Sequence, residues 1–364
     1  MNATTFVVGP MPPPVHGYSL VTNLVAERLK LAAANVRVID TSPDDLAKSW
    51  RYHAQRLWRV NLGIAVLLCR RSRGDTLYLA IAGGSGVVYD IAFAAVARLG
   101  HYRLFIHHHA FSYINRWSFL TSIFLRLAGS NAVHICLCQH MGMLLQQRYE
   151  VKRDVRIVSN AAFMQLAGMN APKRMDRLRI GFLSNLMPEK GFDVVLEVFR
   201  AAYREGAASD LIVGGPMIDK ATGELIAAAG REFGPAFEYR GALSGDAKDR
   251  FFADIDIFIF PTRYANEAEP LVVLEALAAG KPVIATARGC IQDVVSVAAG
   301  RVVSGEHFVE TALDTLLEWS RDPERLSAAS AEACGRAKQL SDMAQNNLKD
   351  LIADMTSRPA STIS

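Results

Sequence analysis

Apolar runs alternate with helix-period stretches along this chain, and the alternation occurs twice. In the first half, the strand candidates are Thr4 to Val8, Val36 to Asp40, Thr76 to Ala80, Arg103 to His107, Ala132 to Cys138 and Val155 to Ser159. Helix-period stretches such as Tyr18 to Leu31, Val87 to Leu99, Phe119 to Leu127 and Gly142 to Arg148 lie between them. Strands that read as continuous apolar runs separated by helices predict a parallel sheet covered on both faces, because a parallel neighbour needs a crossover long enough to hold a helix. Periodicity breaks from about Ala161 to Arg177, the best linker candidate. A second set begins at Leu178: strands Arg179 to Leu183, Asp210 to Val213, Phe237 to Gly241, Ile255 to Phe260, Val283 to Ala285 and Gly300 to Val303, with helices at Phe192 to Arg204, Asp246 to Ala253, Leu271 to Ala279 and His307 to Arg321. Two doubly wound α/β domains are therefore expected, and 364 residues suffice for two cores.

Composition narrows the class. With 51% hydrophobic and 21% charged residues the chain is globular, not disordered. The net charge of +4 conceals an asymmetry: residues 1–175 hold 20 Lys and Arg against 8 Asp and Glu, and the remainder holds 20 against 28. The first half is the one expected to meet an anionic surface, a membrane among them. Between Lys48 and Arg73, seven basic residues surround Trp50, Trp58, Leu57, Leu62 and other apolar residues. This mixture reads either as a helix lying on a bilayer or as a helix packed on its own sheet with a solvated basic face. No apolar run is long enough to span a bilayer. Five scattered cysteines and the lack of a secretory leader before the first strand point to a cytoplasmic location, with peripheral attachment to the cytoplasmic face of the inner membrane as the extension of the basic half.

The most informative stretch runs from Pro261 to Thr286. It leaves a strand through Pro261-Thr, crosses a loop carrying Glu267, enters a short helix at Leu271 and Val272 that carries Glu275, and exits through Gly280-Lys-Pro into the next strand. One carboxylate thus sits on a loop at the carboxyl end of a strand, and the second about one turn inside the following helix. Free amides at a helix start attract a diphosphate, and a carboxylate accepts two hydrogen bonds from a vicinal diol. A nucleoside diphosphate sugar presents both. A second stretch, Leu178 to Leu183 followed by Ser-Asn185-Leu-Met-Pro-Glu189-Lys190-Gly191, places a lysine at a helix start, where it can neutralise phosphate. Gly214-Gly215-Pro216 follows the strand ending at Val213. Gly9 to Gly17 is a glycine- and proline-rich loop ahead of a helix, carrying His16.

These motifs resemble family 4 of the retaining glycosyltransferases, whose fold is called GT-B: two Rossmann-like domains facing a central cleft. The signature is a Glu, seven residues, then a Glu, here Glu267 and Glu275. The resemblance implies that Glu267 lies against the donor sugar, Glu275 binds the ribose hydroxyls, and Lys190 neutralises the diphosphate. By the same resemblance Gly17, Gly215, Leu271 and Val272 approach the donor through their backbone, and His109, with His107 as competitor on the same strand face, contacts the donor sugar. A capping role at a strand end is the alternative for these histidines. Many members have an arginine five residues before the lysine; this chain has Asn185, which removes a positive charge. Domains are expected at 1–168 (acceptor-binding), 169–335 (nucleotide-sugar-binding) and 336–364, a helical segment returning to the first domain. The implied activity is transfer of a hexosyl unit from a nucleoside diphosphate sugar to a lipid-linked or saccharide acceptor, without cofactor or divalent metal. Two other readings fit the same residues: a catalytically silent sugar-nucleotide-binding subunit of a polysaccharide assembly complex, and an enzyme on the same fold acting on the sugar nucleotide itself.

Overall fold

A computed structural model of the chain describes residues 3–13, 17–32, 35–42, 50–70, 72, 74–81, 83–152, 155–166 and 177–357. His16, Lys48, Arg71, Arg73 and most of the expected linker lie outside them. The chain divides into two compact units, residues 1–163 with 343–364 and residues 164–342.

The first unit is built on six parallel strands: β1 (Thr5–Gly9), β2 (Val36–Asp40), β3 (Thr76–Ile81), β4 (Arg103–His108), β5 (Val133–Cys136) and β6 (Val155–Ile157), in the spatial order β2-β1-β3-β4-β5-β6. Its helices are α1 (Gly17–Ala32), α2 (Trp50–Cys69), α3 (Val87–Leu99), α4 (Ser112–Asn115), α5 (Phe119–Ala128) and α6 (Gln139–Tyr149). Every residue of β1 and β3 is buried, as their unbroken apolar runs require of strands covered on both faces. From β2 onward each crossover steps in the same direction across the sheet, whereas the crossover through α1 steps the opposite way. With right-handed connections, α2, α3 and α5 therefore share one face and α1 covers the other.

The second unit repeats the scheme in a different order. Its strands are β7 (Leu178–Leu183), β8 (Ala208–Gly214), β9 (Phe237–Tyr239), β10 (Ile257–Phe260), β11 (Val283–Thr286) and β12 (Gly300–Val303), arranged β12-β11-β10-β7-β8-β9 and all parallel. The helices are α7 (Phe192–Arg204), α8 (Lys220–Phe233), α9 (Asp246–Asp254), α10 (Leu271–Ala278), α11 (Ile291–Val294), α12 (Phe308–Arg321) and α13 (Pro323–Thr356). Phe182, Phe192, Phe258 and Phe260 stack in the core between β7, β10 and α7. At the amino end of the sheet Arg179 clasps Asp256 through its backbone N–H and two guanidinium nitrogens, at 2.9, 3.2 and 3.1 Å, joining the starts of β7 and β10. Lys281, from the Gly-Lys-Pro turn, is buried beside this pair, and burial pulls its pKa down while Asp256 opposes the shift. That lysine therefore lies at the end of the sheet away from the loops that follow β7 and β10.

One helix escapes the periodicity. α8 contains Gly223 and Gly230 and buries only Thr222, Ala229 and Phe233, so it has no large apolar stripe. It is started by Asp219, whose carboxylate accepts from the Thr222 N–H at 2.8 Å. α13 begins in the second unit, and from Met343 onward it belongs to the first. There the Asn347 amide donates to the Ile157 carbonyl at 2.9 Å, the Thr76 hydroxyl to the Met355 carbonyl at 3.0 Å, and Arg103 pairs with Asp354 at 2.8 Å.

Candidate functional site

In the second unit the direction of the crossovers reverses between β7 and β10: β8 and β9 extend the sheet on one side of β7, while β10, β11 and β12 extend it on the other. At such a reversal the loops leaving two adjacent strands diverge to opposite faces and open a crevice at the carboxyl end of the sheet, the usual ligand position in open α/β sheets. The loop after β7 carries Lys190 and the loop after β10 carries Glu267. The Lys190 ammonium donates to Glu267 Oε2 at 2.6 Å, and the Thr262 hydroxyl donates to the same oxygen at 2.9 Å. Both side chains are nearly enclosed, 13% and 8% exposed, so their attraction is little screened. The ammonium also lies over the rings of Tyr264, at 4.8 Å, and Phe260, at 5.6 Å.

The two loops are fastened together beyond this pair. The Arg263 guanidinium donates to both Asp193 carboxylate oxygens, at 3.0 and 2.8 Å, and to the Pro188 carbonyl at 2.8 Å, while the Arg263 N–H donates to the Glu189 carbonyl at 2.7 Å. Gly191, following Lys190, has φ +80° at the head of α7, and a Cβ there would lie 2.3 Å from the Pro261 carbonyl oxygen. Glycine is what lets the Lys190 turn press against the Pro261 strand exit. Gly215 serves the loop after β8 in the same way: with φ +121°, a Cβ would fall 1.6 Å from the Ser184 carbonyl oxygen, next to Asn185. Its N–H donates to the Gly241 carbonyl at 2.6 Å, and its own carbonyl accepts from the Tyr239 hydroxyl at 2.8 Å.

Glu275 forms a second pair. Lys248, on α9, donates to Glu275 Oε1 at 2.5 Å, while Oε2 is shut off from solvent and has no hydrogen-bond partner among the described residues. Burial raises the Glu275 pKa and Lys248 holds it down. A buried carboxyl oxygen without a partner keeps an acceptor capacity that a hydroxyl-bearing ligand can use once side chains around it shift. Leu271 and Val272 open α10, whose first hydrogen bond runs from the Val273 N–H to the Pro270 carbonyl at 3.1 Å, so their two N–H groups precede the hydrogen-bonded ladder. Asn185 is exposed just past β7.

His109 and Gly17 belong to the first unit. Its own crossover reversal falls between β1 and β3. Gly17 opens α1, and the next residue, Tyr18, donates its hydroxyl to the Ala80 carbonyl at the end of β3, at 2.7 Å. The His109 ring tilts against Tyr18, with centroids 4.9 Å apart, and against His107 at 4.0 Å. Alternation along the strand sends His108 to the other side, where its Nε2 meets His134 Nδ1 at 3.0 Å and its Nδ1 meets the Tyr113 hydroxyl at 2.9 Å. Burial pulls the pKa values of His107 and His108 well below the imidazole range and that of His134 down to about 4. The α3 carboxyl of Asp90, influenced by the Arg56 charge and close enough to act on Tyr18 and Tyr113, is pushed up by burial to about 8.

Lys190 and Glu267 are thus in direct contact. Glu275 is held from elsewhere, by Lys248, and Gly215 abuts the segment bearing Asn185. Thr262, Tyr264 and Lys248 were not singled out from sequence; Thr262 falls in the Pro-Thr pair of the strand exit, whereas nothing local distinguishes Lys248 from other lysines.

Two six-stranded parallel sheets with helices on their faces, each unit a doubly wound α/β body, define a GT-B fold. Over that fold the chain is similar to Anabaena HepE, solved in complex with UDP, at TM-score 0.69 and 14% identity across 96% of this chain and 100% of that one. It is similar also to sucrose-phosphate synthase of Thermosynechococcus elongatus, at TM-score 0.70 and 14% identity across 97% and 99%. Residues 177–322, the segment containing Lys190, Glu267 and Glu275, match the family described as Glycosyl transferases group 1. Among curated proteins the chain is 30% identical over 166 residues to the GDP-mannose-dependent alpha-(1-6)-phosphatidylinositol monomannoside mannosyltransferase of Mycobacterium tuberculosis, covering 43% of this chain and 42% of that protein. The chain therefore spans about two-fifths of the length of the curated relatives it matches.

Proposed function

We propose that the chain is a retaining glycosyltransferase that moves a hexosyl unit from a nucleoside diphosphate sugar to a hydroxyl of a lipid-linked or saccharide acceptor. The observation that carries this reading is the Lys190–Glu267 contact at the strand-order reversal, inside the segment that matches the group 1 glycosyltransferases. The UDP in the HepE structures and the GDP-mannose dependence of the mycobacterial relatives support a nucleotide-sugar donor without choosing its base. In this reading Glu275 accepts from the ribose hydroxyls, the Leu271 and Val272 amides and Lys190 face the diphosphate, and Glu267 orients the sugar. The close-approach backbone at Gly215 would flank the donor.

During transfer the acceptor oxygen bonds to the anomeric carbon on the face from which the diphosphate departs. The bond from that carbon to the phosphate oxygen breaks, and the acceptor proton passes to the leaving phosphate oxygen. A glycoside and a nucleoside diphosphate result. The charge that develops on the leaving oxygen is what Lys190 and the helix-start amides stabilise. The exposed Asn185, where many relatives by resemblance carry an arginine, favours the second reading, a sugar-nucleotide binder without turnover.

Product assays with donor and a detergent-dispersed lipid acceptor separate the two, since a binder yields neither glycoside nor hydrolysed donor. Glu275→Ala is expected to raise the dissociation constant for the matching nucleoside diphosphate by about tenfold to a hundredfold, the usual cost of losing a charged hydrogen-bond acceptor. Unchanged affinity in that variant would remove Glu275 from the site.

A further inference from the structure

The helix between Trp50 and Cys69 is turned the unexpected way. Neither arginine whose side chain is described in its middle points fully to water: Arg59 pairs with Asp40 at 2.9 Å and donates to the Ser42 carbonyl at 2.5 Å, and Arg56 lies over the Tyr89 ring at 5.0 Å. Val60, Gly63 and Leu67 complete the side packed on the unit. The opposite side, which includes Trp50, Leu57, Trp58 and Leu62, faces solvent, with Trp50 75% and Trp58 71% exposed. A solvated basic face, one of the two readings of this segment, is therefore replaced by a solvated apolar face.

The surrounding layer has the same character. α2 packs beside α3 and α3 beside α5, all on one face of the sheet. Each of these helices follows a parallel strand, so their N-terminal ends lie toward the carboxyl end of the sheet, where His109 lies. Near that end Trp50, Trp117 and Phe119 are exposed, Phe119 by 64%. The charge around this layer has one sign. From residue 50 to 149 the sequence holds eleven arginines, no lysine and two acidic residues, Asp75 and Asp90. Asp75 is buried and Asp90 half-buried, whereas Arg70, Arg98 and Arg116 are exposed. Arg59 and Arg103 are paired with Asp40 and Asp354, but Arg70, Arg98 and Arg116 make no ion pair among the described residues, and exposed tryptophans, an apolar helix face and such arginines form the combination that seats a protein on an anionic bilayer interface.

We infer that the α2–α3–α5 layer docks on an anionic lipid surface, with the apolar face of α2 in the headgroup–acyl boundary and the arginines on lipid phosphates. A second copy of this chain is the poorer occupant, since a self-contact through this face would set the same arginines against one another. Binding of this kind goes beyond the transfer reaction and does not depend on it, but it would hold the first unit where a lipid-borne acceptor resides.

The test is flotation of the full chain with vesicles of phosphatidylcholine alone or mixed with phosphatidylglycerol, at low and at molar salt. The expected result is flotation with the anionic vesicles only, weakened by salt, with tryptophan emission shifted to the blue. Trp58→Glu with Leu62→Glu should abolish it, and Arg70→Glu with Arg98→Glu and Arg116→Glu should weaken it on the order of a hundredfold, while Leu225→Glu on the second unit leaves it intact. All of these side chains are at the surface, and an unchanged thermal melt of each variant separates lost binding from lost folding. Three results would overturn the inference: no flotation on either vesicle, flotation untouched by both sets of substitutions, or a concentration-dependent dimer that Trp58→Glu dissolves in a protein that ignores vesicles. Because flotation needs no donor, its failure would leave the nucleotide-site reading standing, and loss of nucleotide binding would leave this one standing.

Discussion

Lys190→Ala is expected to lower turnover by on the order of a hundredfold, with a smaller change in the concentration of donor needed for half-saturation. The reasoning starts from charge. The leaving diphosphate gains negative charge as its bond to the sugar breaks, so a fixed ammonium aimed at it acts more strongly in the transition state than in the ground state, and one preorganised donor of this type typically accounts for such a factor. In the free protein the ammonium is held 2.6 Å from Glu267, stacked over Tyr264 and Phe260. Truncation also leaves Glu267 buried with the Thr262 hydroxyl as its described partner, which costs stability by about 3–5 kcal/mol, as for any buried pair broken on one side. The double variant Lys190→Ala with Glu267→Gln removes the stranded charge. It should recover most of the stability and none of the turnover. Full turnover in stable Lys190→Ala would strike the lysine from the mechanism, and recovery of turnover in the double variant would mean that the pair is structural only.

The second large effect is acid destabilisation of the first unit. His107, His108 and His134 are 1%, 0% and 4% exposed, and burial depresses each imidazole pKa in the folded state. The unfolded chain binds a proton at each of them below about pH 6.5, while the folded chain does not until much lower pH. The unfolded state therefore holds more protons in that window, and stability falls as pH falls, by up to about 1.4 kcal/mol per pH unit for each histidine. Three together approach about 4 kcal/mol per unit between pH 6.5 and pH 5, and Asp90, protonated in the folded unit up to about pH 8 but ionised in the unfolded chain across this range, opposes them by about 1.4, leaving a net fall of about 3 kcal/mol per unit, with His134 ceasing to contribute near its folded value of about 4. Thermal melts at half-unit steps across that range should show the first-unit transition moving down, and His134→Gln should make the slope shallower by about half. A melting temperature flat between pH 7 and pH 5 would mean that these imidazoles are not held neutral.

Most of the architecture was legible in the sequence because the parallel strands are covered on both sides. Ile257–Phe260 and Thr76–Ile81 read as unbroken apolar runs, and both are wholly buried. α8 was illegible for the converse reason, since Thr222 and Ala229 bury a helix face without bulk and two glycines dilute its pattern. Lys190 and Glu267 each stand out within a motif, yet their contact spans 77 positions and follows from strand order, which spacing does not give. The Lys248–Glu275 pair left no trace in the sequence, because a surface-type helix lysine 27 positions away has nothing to mark it. For α2 the periodicity revealed two faces but not which one turns inward. Asp40 and Tyr89, on other elements, settle that by engaging Arg59 and Arg56.

The claim on which the functional reading rests is that the loops after β7 and β10, with α10 behind them, bind a nucleoside diphosphate. Isothermal titration of UDP, GDP, dTDP and ADP into the unmodified chain, repeated with Lys190→Ala and Glu275→Ala, addresses it without any acceptor. The expected result is saturable binding of one of the four at one site per chain, weakened at least tenfold by either substitution. Binding of none of the four, or binding that both variants retain at full strength, would contradict it.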